Sequence, residues 1–214
     1  VTLPLAAFLT VWTILALNIA SPGPNVLNTV TTAMGSGRAA GMASAAAVGI
    51  GIGVWCLGMS LGMATLFRTV PHAEAALTAM AAGLLVWFAG RYLRAAFSAE
   101  RREAALKARG GLSLRGSFLR SLSINATNPK ALTTWIAILG IFPTARAAPG
   151  DIALLTAGAC TLSMAIHSDY AVAFSTPAAA RVYLRAAPVI NGVVGTFFLA
   201  FAVKLVAPLL ARAI

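Results

Sequence analysis

Six apolar stretches, at residues 3–20, 39–67, 73–97, 118–142, 152–175 and 189–211, take up most of this 214-residue chain. A helix needs about 20 residues to cross a hydrocarbon layer of roughly 30 Å, and each stretch is near or above that length. Only short loops are left between them. Charged residues make up 10% of the chain and hydrophobic ones 59%, whereas a soluble domain carries about 25% charged residues. The expectation is an all-α polytopic membrane protein with six transmembrane helices in one domain over residues 1–214. No separate soluble part remains to carry an independent activity. The first stretch lacks the positive segment that precedes a cleaved leader, so it reads as a span.

The formal net charge of +11 raises the question of nucleic acid, since basic patches attract phosphate. The distribution of the charge answers it. Eight of the sixteen basic residues, Arg91, Arg94, Arg101, Arg102, Lys107, Arg109, Arg115 and Arg120, lie in or beside one hydrophilic segment between the third and fourth stretches. A cytoplasmic loop obeying the positive-inside bias accounts for them without a ligand, so no nucleic-acid partner is expected. Alternation then puts both termini outside, and the loop has the composition for a short amphipathic helix at the interface.

Three spans precede that loop and three follow it. An odd number per half makes the second half enter the membrane from the opposite side, the plan of inverted-repeat transporters. The expected organisation is a first repeat at 1–97, a basic loop at 98–117 and an inverted repeat at 118–214. A weak internal echo supports it: ALNIASPGPNVLNTVTTAMG in the first half and SLSINATNPKALTTWIAILG in the second each carry an Asn, a break with Pro, and a Thr-containing helix ending in Gly.

The two breaks are Ser21-Pro22-Gly23-Pro24-Asn25 and Asn128-Pro129-Lys130. Proline removes a backbone donor and clashes with the preceding turn, so each break makes a discontinuous helix. Irregular backbone at membrane depth survives only where protein buries it or it lines a polar cavity. Pro22, Gly23, Pro24, Asn25, Asn128, Pro129 and Lys130 are therefore candidate substrate-binding residues, with free helix ends and the Lys130 ammonium offering positive potential to a carboxylate. The plainer alternative makes SPGPN a cytoplasmic turn and NPK a structural kink. Asn125 and Asn191 are placed either to brace helices or to touch a polar ligand.

Within the fifth stretch, His167 and Asp169 interrupt the apolar run. Ionisable groups inside a membrane mark substrate or proton paths by default, which makes both candidates for proton coupling; the alternative for Asp169 is a pairing with Arg181. Gly37, Gly41, Gly49, Gly53, Gly58 and Gly62 form three i to i+4 pairs in the second stretch, a surface for close helix packing. The four tryptophans read as packing and interface residues. Cys56 and Cys160 occur once per half and match no metal or CxxC spacing, although a membrane thiol–disulfide relay through them is an alternative function. No phosphate loop or HExxH is present, so no enzyme activity, metal or cofactor is expected.

At PGPN and NPK the chain resembles the bacterial amino-acid exporter family typified by the lysine exporter and the homoserine/threonine resistance proteins. The glycine-rich GSGRAAGMASAAAVGIGIGVWCLGMSLGM and the terminal RVYLRAAPVINGVVGTFFLAFAVKL extend the similarity along nearly the whole chain. The resemblance implies export of amino acids or small analogues across the bacterial inner membrane by proton antiport, with a homodimer allowed. The departure lies after Gly53, where such proteins often carry a polar residue and this chain has Val54.

Overall fold

The computed structural model describes residues 1–70, 73–97 and 110–211, and these are helical with no strand among them. Eight α-helices follow in order: α1 Leu5–Ala20, α2 Pro24–Ser36, α3 Arg38–Thr69, α4 Ala73–Phe97, α5 Leu114–Ala126, α6 Pro129–Leu139, α7 Pro149–Ala173 and α8 Pro177–Ala211. A single 3-10 turn at Thr144–Arg146 separates α6 from α7.

Among the described residues, four segments are unbroken and apolar enough to span a membrane: Arg38–Met63, Ala76–Phe97, Pro149–Ala173 and Pro177–Lys204. The pair α1 and α2 meets the same test only together, bent by 54° at the SPG break. The stretch expected as one span at 118–142 consists of two short helices, α5 and α6, divided at NPK. Large apolar side chains point away from the protein, among them Val54, Leu61, Val182, Val189 and Val203. That is the surface a lipid solvent demands and water does not.

Two boundaries differ from the sequence reading. The helix of the last span starts at Pro177 and not near 189. Arg181 and Arg185 lowered the local hydropathy, but they sit one turn apart on an exposed face while Tyr183, Leu184 and Ala187 are buried. The loop expected at 98–117 ends earlier, because Ser113 accepts a hydrogen bond from Gly116 N at 3.0 Å and so starts α5 at Leu114. The amphipathic helix considered for this loop, with Arg101, Arg102, Lys107 and Arg109, lies outside the described residues, as does His72.

The most extensive helix pairings are α3 with α7 and α4 with α8. Small residues make the first possible: a Cβ on Gly49 would lie 2.7 Å from Met164 Cβ, and one on Gly41 would lie 2.9 Å from Ala171 Cβ. Gly58 and Gly62 meet nothing within 4 Å, so the glycine ridge packs along its first part only. Polar groups add directional contacts where hydrophobicity cannot drive association. Asn28 on α2 donates to Ser121 Oγ of α5 at 2.7 Å, Ser121 donates to Ser44 Oγ of α3 at 2.6 Å, and Arg120 Nε reaches Asn28 Oδ1 at 3.3 Å. At the start of α7, the Asp151 carboxylate accepts from Thr2 N, Thr2 Oγ1, Leu3 N and Ala148 N. It thereby ties the first residues to that helix.

Candidate functional site

Each break is built the same way. Ser21 leaves α1 in extended conformation, Gly23 is extended, and Pro24 takes the first position of α2; Asn128 is extended and Pro129 takes the first position of α6. Proline fits there because that position has no intrahelical donor bond to lose. The residue after each proline, Asn25 in one half and Lys130 in the other, lines a shared chamber.

Breaking α1 exposes its last carbonyls, the negative end of a helix dipole. Lys130 Nζ donates to Asn18 O at 2.8 Å, Ser21 Oγ at 2.8 Å and Ser21 O at 3.3 Å, and sits 5.5 Å from the Tyr92 ring centroid. The hydroxyls of Tyr170 and Tyr183 both donate to Ala20 O at 3.1 Å. The end of α1 is thus held by one ammonium and two phenols. The helix starts are treated unequally. The Asn128 side chain accepts from Lys130 N at 3.0 Å and caps α6, whereas Gly23 offers α2 no side-chain cap. The first N–H groups of α2, on Asn25 and Val26, have no partner within their own helix, and both residues line the chamber.

The chamber has a volume of about 30 Å³ and is bounded by Asn18, Gly23, Pro24, Asn25, Asn128, Lys130, Trp135 and His167 among others. A void of that size holds a water molecule or two. Four buried polar atoms on its walls lack a hydrogen-bond partner: Asn18 Nδ2, Asn25 Oδ1, Trp135 Nε1 and His167 Nε2. Buried polar groups are nearly always paired, so four orphans around one void mark a place built for a polar guest. His167 Nδ1 lies 2.9 Å from Ser163 O. A carbonyl can only accept, so Nδ1 carries the proton and neutral Nε2 presents a lone pair to the chamber.

A second space of about 180 Å³ adjoins it, lined by Pro22, Gly23, Pro24, Arg91, Tyr92, Asn128, Lys130 and Asn191 with Phe88 and Ala95. Gly23, Pro24, Asn128 and Lys130 belong to both linings, so they form the wall between chamber and vestibule. Arg91, 4.8 Å from the Trp87 ring centroid, gives the vestibule a second cation.

Pro22, Gly23, Pro24, Asn25, Asn128 and Lys130 come together at these two spaces, with Pro129 opening α6 beside them. Asn125 does not. It lines a separate apolar crevice of about 460 Å³ with Gly51, Val54, Trp55 and Gly58, and both of its side-chain polar atoms are unpaired. Val54, 66% exposed beside that crevice, faces away from the chamber. His167 is buried on the chamber wall, whereas Asp169 is exposed. Cys56 is buried and accepts from Thr156 Oγ1 at 3.4 Å, one turn before Cys160, and both thiols are free.

Sequence reasoning missed Asn18, Trp135, Arg91 and Tyr92. From the sequence, Trp135 reads as a packing residue and Arg91 as part of the basic loop. The available signal for Asn18 was its place one turn before SPGPN.

A family model described as LysE type translocator matches residues 16–208. The chain is 27% identical over 207 residues to the threonine efflux protein of Salmonella typhi, covering 94% of this chain and 98% of that protein. It is 29% identical over 138 residues to the homoserine/homoserine lactone efflux protein of Salmonella typhimurium, covering 64% of this chain and 62% of that protein. Nothing in these matches supports a thiol–disulfide relay. No solved structure matches the chain.

Proposed function

This chain belongs to the LysE type translocator family, and we propose that it exports an α-amino acid or a small analogue through the chamber between its two broken helices. The family consists of transporters and not enzymes. The observation that carries the site assignment is the set of four unpartnered polar atoms around that chamber. Asn18 Nδ2, Trp135 Nε1 and the uncapped start of α2 supply donors, and Asn25 Oδ1 an acceptor, for the polar groups of such a substrate. Relatives named for threonine and homoserine efflux favour a small, neutral side chain. The chamber lining supports that choice, because it contains no Asp or Glu to pair with a basic side chain.

Coupling to a proton is assigned to His167. Its Nε2 lone pair faces the site the substrate would occupy, so a proton on Nε2 and a substrate donor bound to it exclude each other. Asp169, two residues on, faces outward and is given no coupling role. The two-repeat organisation, 1–97 and 118–214 about the basic loop, draws support from the pairing of corresponding helices: α3 packs on α7 and α4 on α8. With that loop cytoplasmic in a bacterial inner membrane, the N-terminus is outside.

The test is flux from proteoliposomes loaded with labelled threonine, homoserine, lysine or glutamate, with and without an imposed pH gradient. Gradient-driven movement of threonine or homoserine is expected. Protein that is folded and moves none of the four would refute the reading, and movement driven equally without a gradient would refute the proton step alone.

A further inference from the structure

We propose that Lys130 is a resident stand-in for the substrate's own ammonium group, and that an amino acid enters the chamber by changing places with it. The inference rests on the amino-acid reading above and adds how the site is opened and what it selects.

Lys130 commits all three of its ammonium protons to oxygens of the broken end of α1: Asn18 O, Ser21 O and Ser21 Oγ. These oxygens form a cage for a primary ammonium, and an amino acid carries the same group. The space requires an exchange. The chamber's 30 Å³ cannot admit an amino acid, the neighbouring vestibule has about 180 Å³, and Lys130 belongs to the wall between them. Of the four residues in that wall, Lys130 has the only long, flexible side chain, so its withdrawal is the movement that can open one space to the other. Gly23 leaves that side chain its passage, since a Cβ there would lie 3.1 Å from Lys130 Nζ and 3.3 Å from Cδ.

Charge decides which molecules can make the exchange. The cage holds one ammonium before and after, so its oxygens are never left unpaired. The released Lys130 ammonium moves into a vestibule that already holds Arg91, where a second cation is unfavourable unless an anion comes with it. The substrate carboxylate is that anion. A molecule with only an ammonium displaces Lys130 but leaves it unpaired; one with only a carboxylate cannot take the cage. The exchange therefore selects for both groups on one small molecule.

The experiment is equilibrium binding of threonine, threonine methyl ester and N-acetylthreonine to the purified full chain in nanodiscs, wild type against Lys130→Met. In the wild type, threonine binds and each derivative binds about tenfold or more weakly, the loss expected for one hydrogen-bonded charge. In Lys130→Met the cage is vacant, so the methyl ester binds about tenfold more tightly than to the wild type while threonine loses its carboxylate partner. The preference for threonine over its ester collapses. Should that variant fail to fold, Gly23→Ala replaces it. Its extended backbone accepts a side chain, and the added Cβ makes Lys130 give by a few tenths of an ångström, weakening its hold on the cage and moving the ester in the same direction by a smaller factor. A threonine-to-ester ratio unchanged from the wild type in the folded variant would overturn the exchange and leave Lys130 a brace. N-acetylthreonine binding as tightly as threonine would overturn it as well. Wild-type protein that binds none of the three would overturn the amino-acid reading itself.

Discussion

Replacing Asn25 by Leu separates a binding group from a structural one. The two side chains have similar shape, and Asn25 stands at the second position of α2, where Leu is the better helix former. In the unliganded protein Asn25 Oδ1 is buried without a partner. Leaving a buried acceptor unpaired costs about 1–3 kcal/mol, so removing it should leave stability unchanged or raise it by about 1 kcal/mol. An N–H or O–H of the bound substrate would satisfy that oxygen, and such a hydrogen bond contributes about 0.5–3 kcal/mol, the upper part of the range if the donor is charged. Threonine binding should therefore weaken by roughly 2- to 150-fold. Thermal unfolding in nanodiscs reads the first effect and scintillation proximity binding the second. A fall in stability of more than about 1 kcal/mol with affinity unchanged would show that Asn25 braces the break and would refute the reasoning.

The other predictions follow from single contacts. Tyr170→Phe and Tyr183→Phe each leave Ala20 O with one donor and should cost about 1 kcal/mol or less; the double variant orphans the carbonyl and should exceed the sum by ~1–2 kcal/mol in unfolding experiments. Gly49→Ala puts a Cβ 2.7 Å from Met164 Cβ and should destabilise by ~1–3 kcal/mol. Gly58→Ala, with nothing within 4 Å, should be neutral or stabilising by up to ~1 kcal/mol in the same assay. His167→Gln should abolish the response of flux to a pH gradient, whereas Asp169→Asn should leave coupled flux unchanged in proteoliposomes.

The breaks could be read from sequence because proline, glycine and asparagine inside an apolar run have so few places to go. Their meeting at one chamber follows from the same logic, and Gly23, Asn25, Asn128 and Lys130 line it. Trp135 could not be found this way, since an indole looks like core until the structure leaves its N–H without a partner. Asn125 was drawn in by its closeness to NPK along the chain, yet it sits three residues before Asn128, on the helix side of the break, and turns to the α3 crevice. His167 and Asp169 were separable in principle. Residues two apart on a helix point roughly 200° apart, so one of them had to leave the chamber. The early start of α8 was hidden because Arg181 and Arg185 depress a hydropathy average that ignores which face they occupy.

The most direct test is an experimental structure of the protein with threonine bound. The account predicts ligand density between the start of α2 and α6, its ammonium on Asn18 O and Ser21 O and Lys130 withdrawn toward its carboxylate. Threonine bound in the Asn125 crevice, or absent from the chamber at saturating concentration with Lys130 still on Asn18 and Ser21, would contradict it.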